Sequence, residues 1–214
     1  MTCWSEFGTF RGRAARLPRM RAMAVPSREA AARILVELKA PLWLRAHSTA
    51  VAEVAAYLAD RYRERGRELP ADLPETAALL HDVDKTPPLR ALRAALGHGT
   101  AGASWLAGRG FAELGPSIAG HPATRLADEG EFNRWLREAS PTELIVSYAD
   151  KRAMKDVVPM ARRFAKWQSS HPERAATIAR GRVLADRLEE HVCAAAGISP
   201  AEVTRLAWVD GLLK

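Results

Sequence analysis

From Ser27 onward, apolar residues recur at three- and four-residue steps in almost every segment, the period of a helix with one buried face. Ser27 can cap a first helix over residues 27–40, with Ile34, Leu35 and Leu38 on one side. Pro41 opens a second, which runs to about Arg65 and ends at Gly66. Asp72-Leu73-Pro74-Glu75 sets an acid three residues after a candidate cap, so a capping box is expected there. The helix it starts ends in His81-Asp82. Pro87-Pro88 leads into a helix over 89–96, broken by Gly97. A helix over 98–106 is closed by Gly108 and Gly110, and 111–120 reads as a short helix or turn. Phe132, Trp135 and Leu136 mark a helix over 131–139. Ser140-Pro141-Thr142-Glu143 combines a cap, a proline and an acid, and opens a helix through Asp150 to about Met154. A long helix over 173–196 follows, and Ser199-Pro200-Ala201-Glu202 opens the last one. No alternating strand pattern or internal repeat interrupts this. The predicted fold class is all-α.

Composition narrows the picture. A chain of 214 residues, 48% hydrophobic, can bury a full core without staples. Its longest apolar runs fall short of the roughly 20 residues that cross a bilayer, so no membrane partner is expected. The two cysteines, Cys3 and Cys193, lie at opposite ends and form no disulfide framework, and a cytoplasmic location is expected. The net charge is +7, and the residues before Pro26 carry five arginines against Glu6 alone, a net +4. This basic head, residues 1–25, is read as disordered, with Met20 and Met23 as alternative starts. A nucleic-acid-binding arm or an Arg-rich targeting peptide are the other readings. Residues 26–158 are read as the helical core and 159–214 as C-terminal helices packing on it.

Helical phase singles out a set of polar residues on faces that should be buried. His47, Val51, Val54 and Leu58 fall within about 40° of one another at 100° per residue. His81 shares a face with Ala77 and Ala78, and Asp82 is one step around. Asp150 follows Val146 by four. His98 would stack beneath Gly102 and Trp105, and His121 ends a short helix before Pro122. One buried imidazole is ordinarily satisfied by a hydrogen bond. Several, next to buried carboxylates, call for a shared compensation, and a divalent metal supplies it. His171 and His191 sit in polar contexts and are expected at the surface.

The order His47, His81-Asp82, Asp150 resembles the HD superfamily of metal-dependent phosphohydrolases. The flanking residues Ala78-Leu79-Leu80-His81-Asp82-Val83-Asp84-Lys85 and Ile145 to Arg152 carry the likeness over roughly 41–154. His98-Gly99-Thr100-Ala101-Gly102-Ala103 resembles subgroups with an extra pair of histidines, including small bacterial hydrolases of dinucleoside tetraphosphates. His121 falls where the next would be, in a looser match. The resemblance implies a helical bundle with additional C-terminal helices. It also implies a first metal held by His47, His81, Asp82 and Asp150. A second would be bridged by Asp82 and held by His98 and His121. Nitrogen and carboxylate donors suit Fe, Mn, Co, Ni or Zn, as one or two ions. The implied reaction is attack of metal-activated water on phosphorus. Asp82 and Lys85 are the candidate catalytic residues, and Lys85, Lys151 and Arg152 the candidate phosphate contacts. Asp84 and Arg45 are weaker candidates. The expected partner is a phosphorylated small molecule, nucleotide-like. Nucleic acid is not expected, and a homo-oligomer stays open. The alternative is a non-catalytic nucleotide-sensing or partner-binding module, its best support being the region from about Pro159, where Arg162, Arg163 and Lys166 precede a long helix whose face includes Ile178, Val183, Leu184 and Leu188, a candidate partner surface.

Overall fold

A computed structural model describes residues 25–206; residues 1–24 of the basic head, Cys3 among them, lie outside the described residues. Eleven α-helices appear among them: α1 (Arg28–Glu37), α2 (Leu42–Glu64), α3 (Leu73–Leu80), α4 (Arg90–Leu96), α5 (Thr100–Gly108), α6 (Gly115–Gly120), α7 (Glu129–Glu138), α8 (Pro141–Lys151), α9 (Met160–Ser170), α10 (Ala175–Ala196) and α11 (Pro200–Thr204). The described residues contain no strand, only an isolated bridge between Ala153 and Val157. The chain is all-α, as the periodicity predicts. No helix of the described residues is long and apolar enough to cross a membrane.

Most ends follow from local chemistry. The Ser27 hydroxyl accepts from the Ala30 N–H, and Ser140 and Ser199 each form a complete capping box with Glu143 and Glu202. The Asp72 box does not form. Asp72 has helical angles, whereas a capping residue needs extended ones to turn its side chain onto the next N–H groups. Two differences are larger. The helix expected from His98 begins at Thr100, and residues 160–170 form α9, a helix absent from the sequence reading. Its apolar positions, Met160, Phe164 and Trp167, follow helical steps behind Pro159.

The core is built on α2. Val51, Val54 and Leu58 are fully buried and pack with α3 and α8, which bring Leu80, Ile145 and Val146. α10 lies across α8, α2 and α9, burying Leu184, Leu188 and Val192. Cys193 is buried there, as expected of a packing residue.

Arg152, just after α8, joins this layer to the rest. Its guanidinium donates to the Val158 carbonyl, the Tyr148 hydroxyl, Glu189 (3.1 Å), the Pro200 carbonyl (3.0 Å) and Thr204 Oγ1 (2.7 Å). The side chain is 1% exposed. All of its donor positions face protein acceptors, so none is free for a phosphate, the role expected from the sequence. Replacing Arg152 by Met strands the Glu189 carboxylate and several carbonyls. The expected outcome is a loss of about 3 kcal/mol or more in urea unfolding; a change below about 1 kcal/mol would show that the network contributes little.

Candidate metal centre

His81 and Asp82 lie at the C-terminal end of α3, His121 at the end of α6, and His47 and Asp150 inside α2 and α8. His81 and Asp82 are 0% exposed. His98 precedes α5, where Gly97 and Gly99 turn the chain with φ of 83° and 82°. A Cβ on Gly99 would sit 2.8 Å from the Ile118 carbonyl and from Pro122, so only glycine lets this turn press against the end of α6. That close approach delivers His98 to His121.

The imidazoles are oriented from behind. His47 Nδ1 lies 2.9 Å from the Met154 carbonyl, His81 Nδ1 2.6 Å from that of Ala78, and His121 Nδ1 2.6 Å from that of Ile118. A carbonyl only accepts, so each Nδ1 carries a proton and each ring turns its Nε2 inward, the atom left to ligate. His98 is held by a carboxylate: its Nδ1 is 3.0 Å from Asp84 Oδ1, while Asp84 Oδ2 accepts from the Gly99 N–H at 2.7 Å. Asp84 is buried and works behind a ligand candidate, a partnership that favours metal binding by imidazole.

The four Nε2 atoms converge on Asp82. Its Oδ2 faces His47 at 3.5 Å, His81 at 3.4 Å and Lys85 Nζ at 2.7 Å. Its Oδ1 faces His98 at 3.3 Å and His121 at 3.5 Å. Asp150 Oδ1 completes the first side, 3.3 Å from His47 Nε2 and 3.7 Å from His81 Nε2. His47 and His81 approach Nε2 to Nε2 at 3.2 Å, and so do His98 and His121. Between His98 and His121, whose Nδ1 protons are committed to Asp84 and to the Ile118 carbonyl, two bare lone pairs at that distance repel. In addition, Asp82 Oδ1 is a buried acceptor with no hydrogen-bond partner. A cation between the donors removes both penalties, and three groups of residues bring ligand atoms within 4.8 Å of one another: His47, His81 and Asp150; His81, Asp82 and His121; Asp82, Asp84 and His98. The donor set therefore fits divalent metal on both sides of Asp82.

Charge in the cluster follows the same logic. Burial opposes ionisation of Asp82, but His81 and Lys85 hold its carboxyl well below the usual range. Burial likewise opposes ionisation of Asp150, and the neighbouring imidazoles of His47 and His81, with Arg163 and Lys151, hold it well below the usual range. Burial disfavours a charged His81, yet Asp82 and Asp150 outweigh this and push it up to about 9, while burial drives His121 down to about 4. Without metal, one proton on His81 supplies the missing positive charge.

Among the described residues Lys85 is the lysine that touches Asp82, and it is partly exposed, at 29%. Lys151 is different. It is fully buried and donates to the His121 carbonyl (2.9 Å), the Ser147 carbonyl (2.9 Å) and Ser147 Oγ (3.1 Å). Its three donor hydrogens are all used, so it fixes the backbone of His121 and has none to offer a phosphate. Burial lowers its pKa to about 8. A cleft of about 230 Å³ opens onto the cluster at His98, His121 and Asp150. Arg163, on α9, lines it and donates to Asp150 Oδ1 at 3.3 Å. The sequence alone places Arg163 in the region ahead of the long helix and gives it no place at the metal centre. The three- and four-residue spacing of Met160, Phe164 and Trp167 was the signal that α9 exists and turns inward.

The His81 proton sets a pH dependence. It must leave before Nε2 can ligate, so below about pH 9 metal uptake should release a proton. Apparent affinity for Mn or Co is expected to fall as pH drops, by up to about tenfold per unit between roughly pH 8.5 and 7. A chelator-competition titration measures it; affinity independent of pH would mean that His81 does not ligate.

Searches of curated proteins and of solved structures found no match. A family model described as the HD domain matches residues 44–155, just over half of the chain. The matched segment carries His47, His81-Asp82, His98, His121 and Asp150, the residues that converge in space, and the chain belongs to the HD domain family.

Proposed function

We propose that the protein is a metal-dependent phosphohydrolase that cleaves a phosphate ester or phosphoanhydride of a nucleotide-like substrate. The observation that carries this reading is the two-sided environment of Asp82. One carboxylate oxygen faces His47 and His81, and the other, unpartnered, faces His98 and His121. His47, His81, Asp82 and Asp150 would hold one ion, and Asp82, His98 and His121 a second. Such ions supply a water acidic enough to yield hydroxide near neutral pH and a clamp on phosphoryl oxygens.

The protein's own groups have distinct tasks. Asp82 bridges the two sides, and Asp84 and the carbonyls behind the imidazoles fix the ring orientations. Lys85 stands at the solvent edge with Nζ on Asp82 Oδ2. There it can pair with a substrate phosphate and carry a proton toward the departing oxygen. Lys151, by holding the His121 carbonyl, keeps the far side from collapsing toward the cleft.

The purified protein should contain a transition metal and release phosphate from some member of a nucleotide panel when supplied with Mn, Fe, Co or Ni. Asp82→Ala should lose both bound metal and activity; a variant that keeps its activity would exclude this site. No metal and no release from the wild-type protein under any of these conditions would overturn the reading. His121→Ala removes a donor from the Oδ1 side alone. Plasma emission spectroscopy is expected to show about two ions per chain in the wild type and about one in this variant; equal contents would argue for a single ion.

A further inference from the structure

The cleft over the cluster has a wall that the HD segment does not supply. The family match ends at residue 155, whereas Arg163, Phe164 and Trp167 come from α9, and Thr177, Ile178 and Gly181 from α10. Leu126 packs against α10 at Gly181. The side nearest the carboxylates is cationic, and the side beyond is apolar and aromatic.

Arg163 is only partly used by the fold. Its guanidinium stacks on Trp167, 4.7 Å from the ring centroid, and gives one hydrogen bond to Asp150. Its Nε is buried with no acceptor at all. Compare Arg152, which satisfies every donor position within the protein. Arg163 lines the cleft and spends one N–H on Asp150, so other guanidinium N–H positions remain for an anionic oxygen arriving there. Trp167 is held by Arg163 and by an edge contact with Phe164, ring centroids 4.8 Å apart. It is therefore a fixed surface rather than a mobile one.

We infer that Arg163 and Trp167 determine which phosphate compound this centre accepts. Arg163 binds an oxygen of the phosphate being cleaved, and Trp167 with Leu126 and Ile178 packs against a ring-bearing leaving group. The preferred substrate class is then a phosphate ester of a ring-bearing alcohol, with nucleosides as its natural representatives, and not a small aliphatic phosphate. The inference rests on the phosphohydrolase reading above.

Three probes test it: adenosine 5′-monophosphate, phenyl phosphate and ethyl phosphate, each with Mn-loaded protein. The wild type should favour the two ring-bearing esters in kcat/KM by about tenfold or more. Trp167→Ala should shrink that preference by about tenfold, and Arg163→Gln should raise KM for adenosine 5′-monophosphate by a similar factor with metal content unchanged. Trp167→Phe, which keeps a ring, should restore most of the preference. Equal turnover of all three probes by the wild type, or a preference untouched by Trp167→Ala, would overturn the inference and leave the hydrolase reading standing. Loss of metal in Arg163→Gln would overturn the phosphate role and make Arg163 a support for Asp150. If the wild type hydrolyses nothing, calorimetry decides the cleft separately. Binding of adenosine 5′-monophosphate that weakens about tenfold in Trp167→Ala keeps the cleft assignment after the hydrolase reading has failed. Absence of binding removes it.

Discussion

Everything in this bundle answers to one buried carboxylate. Asp82 is sealed from solvent, and an ionised carboxylate in that position is tolerable only if positive charge or donors surround it. The surroundings are four imidazole nitrogens, and three of the rings have their proton committed to a main-chain carbonyl on the far side. Two of these carbonyls belong to last turns of helices, where the usual i+4 backbone bond is missing. His81 takes that of Ala78 and His121 that of Ile118, the same three-residue step back in each case. One device thus uses a carbonyl of the last helical turn and places a proton on Nδ1.

Behind the ring of donors stands a second layer of charge, and here the two kinds of buried cation separate. Lys151 and Arg152 follow Asp150 directly and look from the chain like phosphate contacts. In space both are fully spent: Lys151 on the backbone that carries His121, Arg152 on the joint between α8, α10 and α11. Lys85 and Arg163 each touch one carboxylate of the cluster and line the cleft. Counting donors against acceptors therefore discriminates support from site where proximity does not.

The same distinction explains what could be read along the chain. His47 was legible because α2 is long and regular, so four residues in phase define a face with little error. Ser140 and Ser199 were legible because a capping box needs only local atoms. His98 was assigned to a helix by its spacing to Gly102 and Trp105, but Gly99 breaks that phase with a positive φ that the approach of Pro122 and Ile118 demands. That requirement is tertiary, and no local pattern contains it. The Asp72 box failed for a related reason, since its residues have the right types and the wrong backbone angles. Asp84 could be suspected from its nearness to Asp82, but its task, holding His98 from behind, depends on the same glycine turn. α9 was legible in principle from the spacing of Met160, Phe164 and Trp167; the basic residues between them masked it.

The centre and the cleft obey different physical demands, which is why they come from different parts of the chain. Donor atoms must converge within a few ångströms, so they sit on elements locked into the core: α2, α3, α8 and the end of α6. A wall that meets the rest of a ligand needs no such precision, and α9 and α10 supply it from beyond the matched segment. Arg163 is where the two demands meet, since a single guanidinium bonds to Asp150 and covers Trp167. A shift of α9 must therefore either carry the carboxylate with it or break that bond. The wall is tied in position to the cluster it overlooks, so the face that meets a leaving group cannot drift independently of the carboxylate beneath it.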